Sequence, residues 1–242
     1  MEQRTFETSL GQIVLSGDFQ GDRPFVVMFR GAYAPEGQFT TLASLLPTAR
    51  VLIGDIPGWR SPFLREQSLG AYRAAWSEVI AALPGPTAVC GASISGVACL
   101  GLNAPNIIGV VVLDPPMTST DLEPLKVRLA DRVANPPNER ERELQWSLFG
   151  WAADRVQERD YFPLLDQIKA PVLVLVGDSG ADGELPSLVG PESLARLVAD
   201  PRVSVGRVRG GGHHIRHSAF AQALRALLAN SAQREPPRRS GS

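Results

Sequence analysis

The chain has 242 residues, 44% of them hydrophobic and 20% charged, with a formal net charge of −1. That length and composition support one substantial apolar core in a single domain. The near-neutral balance leaves no basic field to hold nucleic acid or an anionic membrane surface, and no apolar stretch is long enough to span a bilayer.

The chain opens on Met1-Glu2-Gln3-Arg4, without the apolar core of a secretion signal. Arg4 to Thr8 and Gln12 to Leu15 read as a hairpin around Ser9-Leu10-Gly11, and Phe25 to Phe29 as a buried strand ending at Arg30-Gly31. Gln38 to Leu46 has helical spacing. Val51 to Gly54 is another short buried strand, closed by Asp55-Ile56-Pro57-Gly58. Ser68 can cap an amphipathic helix from Leu69 to Leu83. The apolar runs Thr87 to Cys90 and Ile107 to Leu113 follow, the second ending at Asp114-Pro115-Pro116.

From about Thr118 to Gln167 the strand rhythm stops, and the residues are charged, helical and aromatic. It resumes with the strand Val172 to Val176, a helix from Pro191 to Val198, the strand Val203 to Val205 and a final helix from Ser218 to Leu228. Apolar strands alternating with amphipathic helices predict a mostly parallel sheet covered on both faces. The expected organisation is an α/β core over 1–117 and 168–232, a helical cap inserted over 118–167, and a disordered tail over 233–242. The two cysteines, Cys90 and Cys99, read as buried small hydrophobes. With no disulfide framework in view, the cytoplasm is the expected compartment.

Gly91-Ala92-Ser93-Ile94-Ser95-Gly96 carries the most chemistry, because it stands between an apolar strand and a helix-like run. A serine pinched between small residues at such a turn has the form of a nucleophile elbow. Ser95 occupies the place of the second glycine in Gly-x-Ser-x-Gly. Serine needs a base to remove its proton and a carboxylate to orient that base. The three histidines, His213, His214 and His217, all lie in one segment behind Gly210-Gly211-Gly212, directly after the last strand. His213 is the best placed as base, with His214 and His217 flanking it. A metal site is not expected, since no cysteine and no acidic cluster completes a ligand set beside these histidines.

For the acid, Asp182 is favoured in the loop after Val172 to Val176, ahead of Asp178, with Asp114 and Glu184 as further candidates. An oxyanion would be met by the amide of Ile94, which opens the helix after the elbow, and by that of Ala32 beside Gly31. Arg30, Trp59, Trp146 and Trp151 are candidates for contact with substrate, although aromatic residues in such a segment also serve to pack helices onto a sheet.

Four segments, Arg30-Gly31-Ala32, Asp55-Ile56-Pro57-Gly58, Gly91 to Gly96 and Gly212-His213-His214-Ile215, stand in the order found in the α/β-hydrolase fold family, which the chain resembles from about Arg4 to Leu228. The resemblance is to its small, cofactor-free, single-domain esterases and C–C bond hydrolases. It implies a sheet of about eight strands, the chain order nucleophile–acid–histidine, and a pocket beneath the cap. It also implies a triad of Ser93, Asp182 and His213, with Ala32 and Ile94 as oxyanion donors.

Three features depart from the family pattern. Arg30 stands where histidine is usual, Ser95 replaces a glycine, and the acid loop is about two residues longer than usual before Asp182. The expected activity is a serine hydrolase acting on a small apolar ester, thioester or lactone carbonyl. C–C cleavage or non-hydrolytic elimination or cyclisation at the same site is one alternative. A non-catalytic binding protein is the other. The expected partner is a small-molecule substrate, with no cofactor, no nucleic acid and no membrane, and a homodimer stays open.

Overall fold

The computed structural model describes residues 2–33, 41–59, 61–152, 154, 156–178, 184–215 and 217–232. Asp182 and the tail 233–242 lie outside the described residues. The apolar runs become β1 (Glu2–Thr8), β2 (Gly11–Gly17), β3 (Phe25–Phe29), β4 (Arg50–Gly54), β5 (Thr87–Ala92), β6 (Ile107–Leu113), β7 (Val172–Gly177) and β8 (Val203–Val208). They form one sheet in the order β1-β2-β4-β3-β5-β6-β7-β8. The hairpin of β1 and β2 is antiparallel, and β2 also meets β4 antiparallel. Every pairing from β4 to β8 is parallel. The sheet is thus the mostly parallel, eight-stranded one expected.

The α-helices among the described residues are α1 (Leu42–Leu45), α2 (Leu69–Ala82), α3 (Ile94–Cys99), α4 (Glu123–Arg128), α5 (Ala130–Ala134), α6 (Glu139–Phe149), α7 (Pro191–Ala199) and α8 (His217–Ala232). Ser68 caps α2 by accepting from the Ala71 amide at 3.0 Å.

Strand residues alternate between two apolar layers, as a period of two dictates. Val27 and Phe29 of β3, Val89 of β5 and Val112 of β6 pack with α2 and α3 through Tyr72, Trp76, Val79 and Val97. Met28, Cys90 and Val111 point the other way, onto Leu42, Phe220 and Leu224 of α1 and α8. The central strands are therefore apolar on both faces, which is why they read as unbroken apolar runs. Cys90 and Cys99 are buried and free, in opposite layers.

Between β6 and β7 the chain leaves the sheet and builds α4, α5 and α6 before returning. Leu122, Val133, Leu144, Leu148, Phe149 and Trp151 from this excursion belong to the same apolar layer as α2 and α3. Asp121 fastens its start. That buried carboxylate accepts from the amides of Met117 and Gly190 at 2.8 and 2.9 Å and from Ser193 Oγ at 2.6 Å. No helix among the described residues is long and apolar enough to cross a membrane.

Candidate active site

Parallel strands present their carboxyl ends along one edge, where β5, β6 and β7 lie side by side. Among the described residues, three non-glycine residues have positive φ, namely Tyr33 (62°), Ser93 (55°) and Asp114 (46°). Ser93 directly follows β5, Asp114 directly follows β6, and Tyr33 lies in the loop after β3. Each such conformation costs on the order of 1–3 kcal/mol and persists only where surroundings over-determine it. Their convergence on one edge of the sheet marks that edge as the candidate site.

The elbow is set by what its glycines exclude. A Cβ on Gly91 would lie 2.5 Å from the Ser95 carbonyl oxygen, and one on Gly96 would lie 3.1 Å from that of Gly91. The close approach therefore falls on Gly91 and Gly96, and position 95 tolerates a side chain. Ser95 uses it to donate to the Arg30 carbonyl at 2.6 Å, tying the loop after β3 to the elbow. Ser93 takes up φ 55° and ψ −130° immediately before α3, so the Ile94 amide is the first of the helix and lacks an intrahelical acceptor.

Gly31 packs on the same turn. A Cβ there would meet the Ala92 carbonyl oxygen at 3.2 Å and the Ser93 Cβ at 3.4 Å. This contact seats Ala32 beside the serine.

His213 reaches the site on its glycine loop. A Cβ on Gly177, at the end of β7, would stand 1.7 Å from the Gly212 carbonyl oxygen, so the two backbones cross in direct contact. The His213 amide donates to the Leu185 carbonyl at 2.9 Å, and its Nδ1 donates to Asp114 Oδ2 at 2.7 Å. A carboxylate can only accept, so Nδ1 carries the proton and Nε2 is left as the basic nitrogen. The Asp114 side chain is 0% exposed and that of His213 is 11% exposed. Leu188 N at 2.7 Å, Ser187 Oγ at 2.5 Å and Gly177 N at 3.4 Å complete the donors around the carboxylate.

A cavity of about 210 Å³ opens over these groups. Gly31, Ala32 and Tyr33 line it from the loop after β3, Ala92 and Ser93 from the elbow, and His213 and His214 from the glycine loop. Leu125, Arg128 and Leu129 close it from α4 and the residue after it, with Leu185 opposite. The i, i+3, i+4 spacing places those three residues on one helix face. Burial above all, then the neighbouring His213 and Arg128, hold His214 below the ordinary imidazole range, with Glu184 and Asp114 opposing.

The imidazole's carboxylate partner is Asp114, and Asp182, favoured from the sequence, lies outside the described residues. Asp178 does not reach the imidazole. Its Oδ1 accepts from the Gly210 amide at 2.8 Å and from that of Gly211 at 3.4 Å, and the Gly210 bond chiefly holds its carboxyl below the usual range. It braces the histidine loop. The signal for Asp114 was its place at the end of a buried strand next to the elbow strand. Its donors Ser187 and Leu188 come from more than seventy residues further on.

The expected substrate contacts are placed elsewhere. Arg30 makes a bidentate pair with Asp55, Nε to Oδ1 at 2.8 Å and a terminal nitrogen to Oδ2 at 2.6 Å, and the two side chains are only 12% and 16% exposed. The pair was latent in the sequence, because Phe29 and Gly54 are register partners and Arg30 and Asp55 follow them. Trp151 is buried and stacks on Phe149 at 4.5 Å. Trp59 stands behind Tyr33, edge-on at 4.8 Å. Trp146 lines a separate surface depression with Gln67 to Gly70. None of these four is among the residues lining the cavity.

Searches with the sequence find no matching family model and no matching curated protein. Similarity appears in three dimensions. A thermophilic esterase from Thermogutta terrifontis superposes with a TM-score of 0.67 at 18% identity, over 96% of this chain and 99% of its own. The naproxen esterase of Bacillus subtilis gives 0.69 at 15% identity, over 95% and 90%. A thioesterase domain from the curacin biosynthetic pathway gives 0.62 at 20% identity, over 95% and 99%. The chain has the α/β-hydrolase fold.

Proposed function

We propose that this chain is a serine hydrolase that acts on a small ester, thioester or lactone carbonyl through Ser93, His213 and Asp114. The observation that carries the proposal is the 2.7 Å contact from His213 Nδ1 to the buried Asp114, beside a cavity lined by both His213 and the strained Ser93. Among the three solved structures described above, two are named esterases and the third a thioesterase.

In this mechanism Ser93 Oγ attacks the carbonyl carbon as its proton passes to His213 Nε2. The resulting imidazolium is stabilised by Asp114. The oxyanion is met by the amides of Ala32 and Ile94. Collapse breaks the bond to the leaving oxygen or sulfur, which takes the proton from His213. Water, deprotonated by the same nitrogen, then attacks the acyl-enzyme and restores Ser93.

The apolar wall of Leu125, Leu129, Leu185 and Ala32 suits a short acyl group in so small a cavity. Hydrolysis of p-nitrophenyl acetate, butyrate and octanoate tests the proposal. Turnover highest on the short esters, and reduced at least about 10³-fold in Ser93→Ala, is expected. Turnover that survives Ser93→Ala, or folded protein inert toward all three esters, contradicts it.

A further inference from the structure

Tyr33 is the strained residue that the hydrolytic steps do not use. It follows Ala32, holds φ at 62°, and is among the residues lining the cavity. A bulky L-residue keeps that conformation only under external restraint.

The restraint comes from the excursion between β6 and β7, together with Trp59. The Tyr33 ring lies parallel to Phe149 at 6.3 Å and edge-on to Trp59 at 4.8 Å, with the Arg132 guanidinium 5.0 Å from its centroid. Its hydroxyl accepts from Gln145 Nε2 at 3.4 Å. The same nitrogen faces the Arg132 carbonyl at 3.1 Å and Glu141 Oε1 at 3.3 Å, and Glu141 pairs with Arg132. Burial, above all, pushes the Tyr33 hydroxyl up to about 12. Residues on α5 and α6 thus grip the side chain one position beyond Ala32, while Gly31, one position before it, packs against the elbow.

We infer that Tyr33 is a positioning residue that couples α5 and α6 to the Ala32 amide, so that the helical excursion sets the geometry of the oxyanion site as well as walling the cavity. The inference rests on the hydrolase function proposed above for its catalytic consequence, but the coupling itself can be read without turnover.

The test compares Tyr33→Phe, Tyr33→Gly and Phe149→Leu with the parent protein, using kcat and KM on p-nitrophenyl butyrate and 15N relaxation of the Ala32 amide. Tyr33→Phe keeps the ring and loses only the long 3.4 Å bond from Gln145, so its kcat is expected to fall much less than that of Tyr33→Gly. Tyr33→Gly accepts the backbone conformation without strain but has no ring to grip. Its kcat is expected to fall about 30- to 100-fold with KM within about threefold, approaching the loss of an oxyanion donor. Phe149→Leu is expected to lower kcat about tenfold, although Phe149 does not line the cavity.

The Ala32 order parameter should stay near about 0.85 in the parent and in Tyr33→Phe and fall below about 0.6 in Tyr33→Gly. An Ala32 amide as rigid in Tyr33→Gly as in the parent overturns the coupling. So does a loss confined to KM, which would make Tyr33 only a wall. An amide that loosens in a protein with no esterase activity leaves the coupling standing and removes the hydrolase assignment instead.

Discussion

Replacing Asp114 by asparagine separates charge from shape at the heart of the site. The asparagine oxygen can take the place of Oδ2, accepting from His213 Nδ1 and Leu188 N, while its NH2 faces Ser187 Oγ, which can turn to accept. The fold should therefore survive, with the Gly177 amide as the one poorly served neighbour. What disappears is a negative charge beside the imidazolium that forms as Ser93 attacks. With charge centres about 4 Å apart and an effective dielectric of about 20, Coulomb attraction is about 4 kcal/mol, or about 10³-fold in rate. Stopped-time hydrolysis of p-nitrophenyl butyrate, alongside thermal melting, measures both consequences. Asp114→Asn should lose about 10³-fold in kcat, while Asp178→Asn, which keeps an acceptor for Gly210, stays within about threefold. If Asp114→Asn retains turnover within about threefold and Asp182→Asn abolishes it, the assignment of the acid is refuted.

Gly177→Ala forces a methyl against the Gly212 carbonyl, so the histidine loop must lift, and ester turnover should fall by at least about 100-fold alongside a lower melting temperature. Parent-like kinetics in that variant would show the crossing of the two backbones to be irrelevant. Ser95→Ala removes the bond to the Arg30 carbonyl and should cost about 1–2 kcal/mol in urea unfolding; no change would mean that water replaces it without loss. Arg30→Met removes the bidentate guanidinium from the mostly buried Asp55 carboxylate and should destabilise by about 3 kcal/mol in the same assay. A raised KM with unaltered stability would instead return Arg30 to the substrate.

The sheet was legible because its strands are buried on both faces and appear as short apolar runs between turn residues. The loss of that rhythm near Thr118 marked the excursion, although α4, α5 and α6 could not be assigned to a packing layer from spacing alone. Ser93 was legible because an elbow is a local feature, in which Gly91 and its strand and helix lie within a few residues. His213 was legible through scarcity. Asp114 was one candidate among several, since a carboxylate's role depends on which donors the fold brings to it, and here these come from β7, Ser187, Leu188 and the glycine loop. The tryptophans are absent from the cavity wall for a related reason. Aromatic content says that a surface is buried, not whether it faces a cavity or Phe149. The positive φ of Tyr33 left no trace in residue type, because glycine or asparagine would ordinarily signal it.

The most direct measurement of the central claim is mass spectrometry of the intact and digested protein after exposure to a fluorophosphonate. One covalent adduct per chain is expected, localised to Ser93, absent in Ser93→Ala and formed much more slowly in Asp114→Asn. Folded protein that stays unmodified, or that carries the adduct on another residue, would contradict the claim that Ser93 is activated by His213.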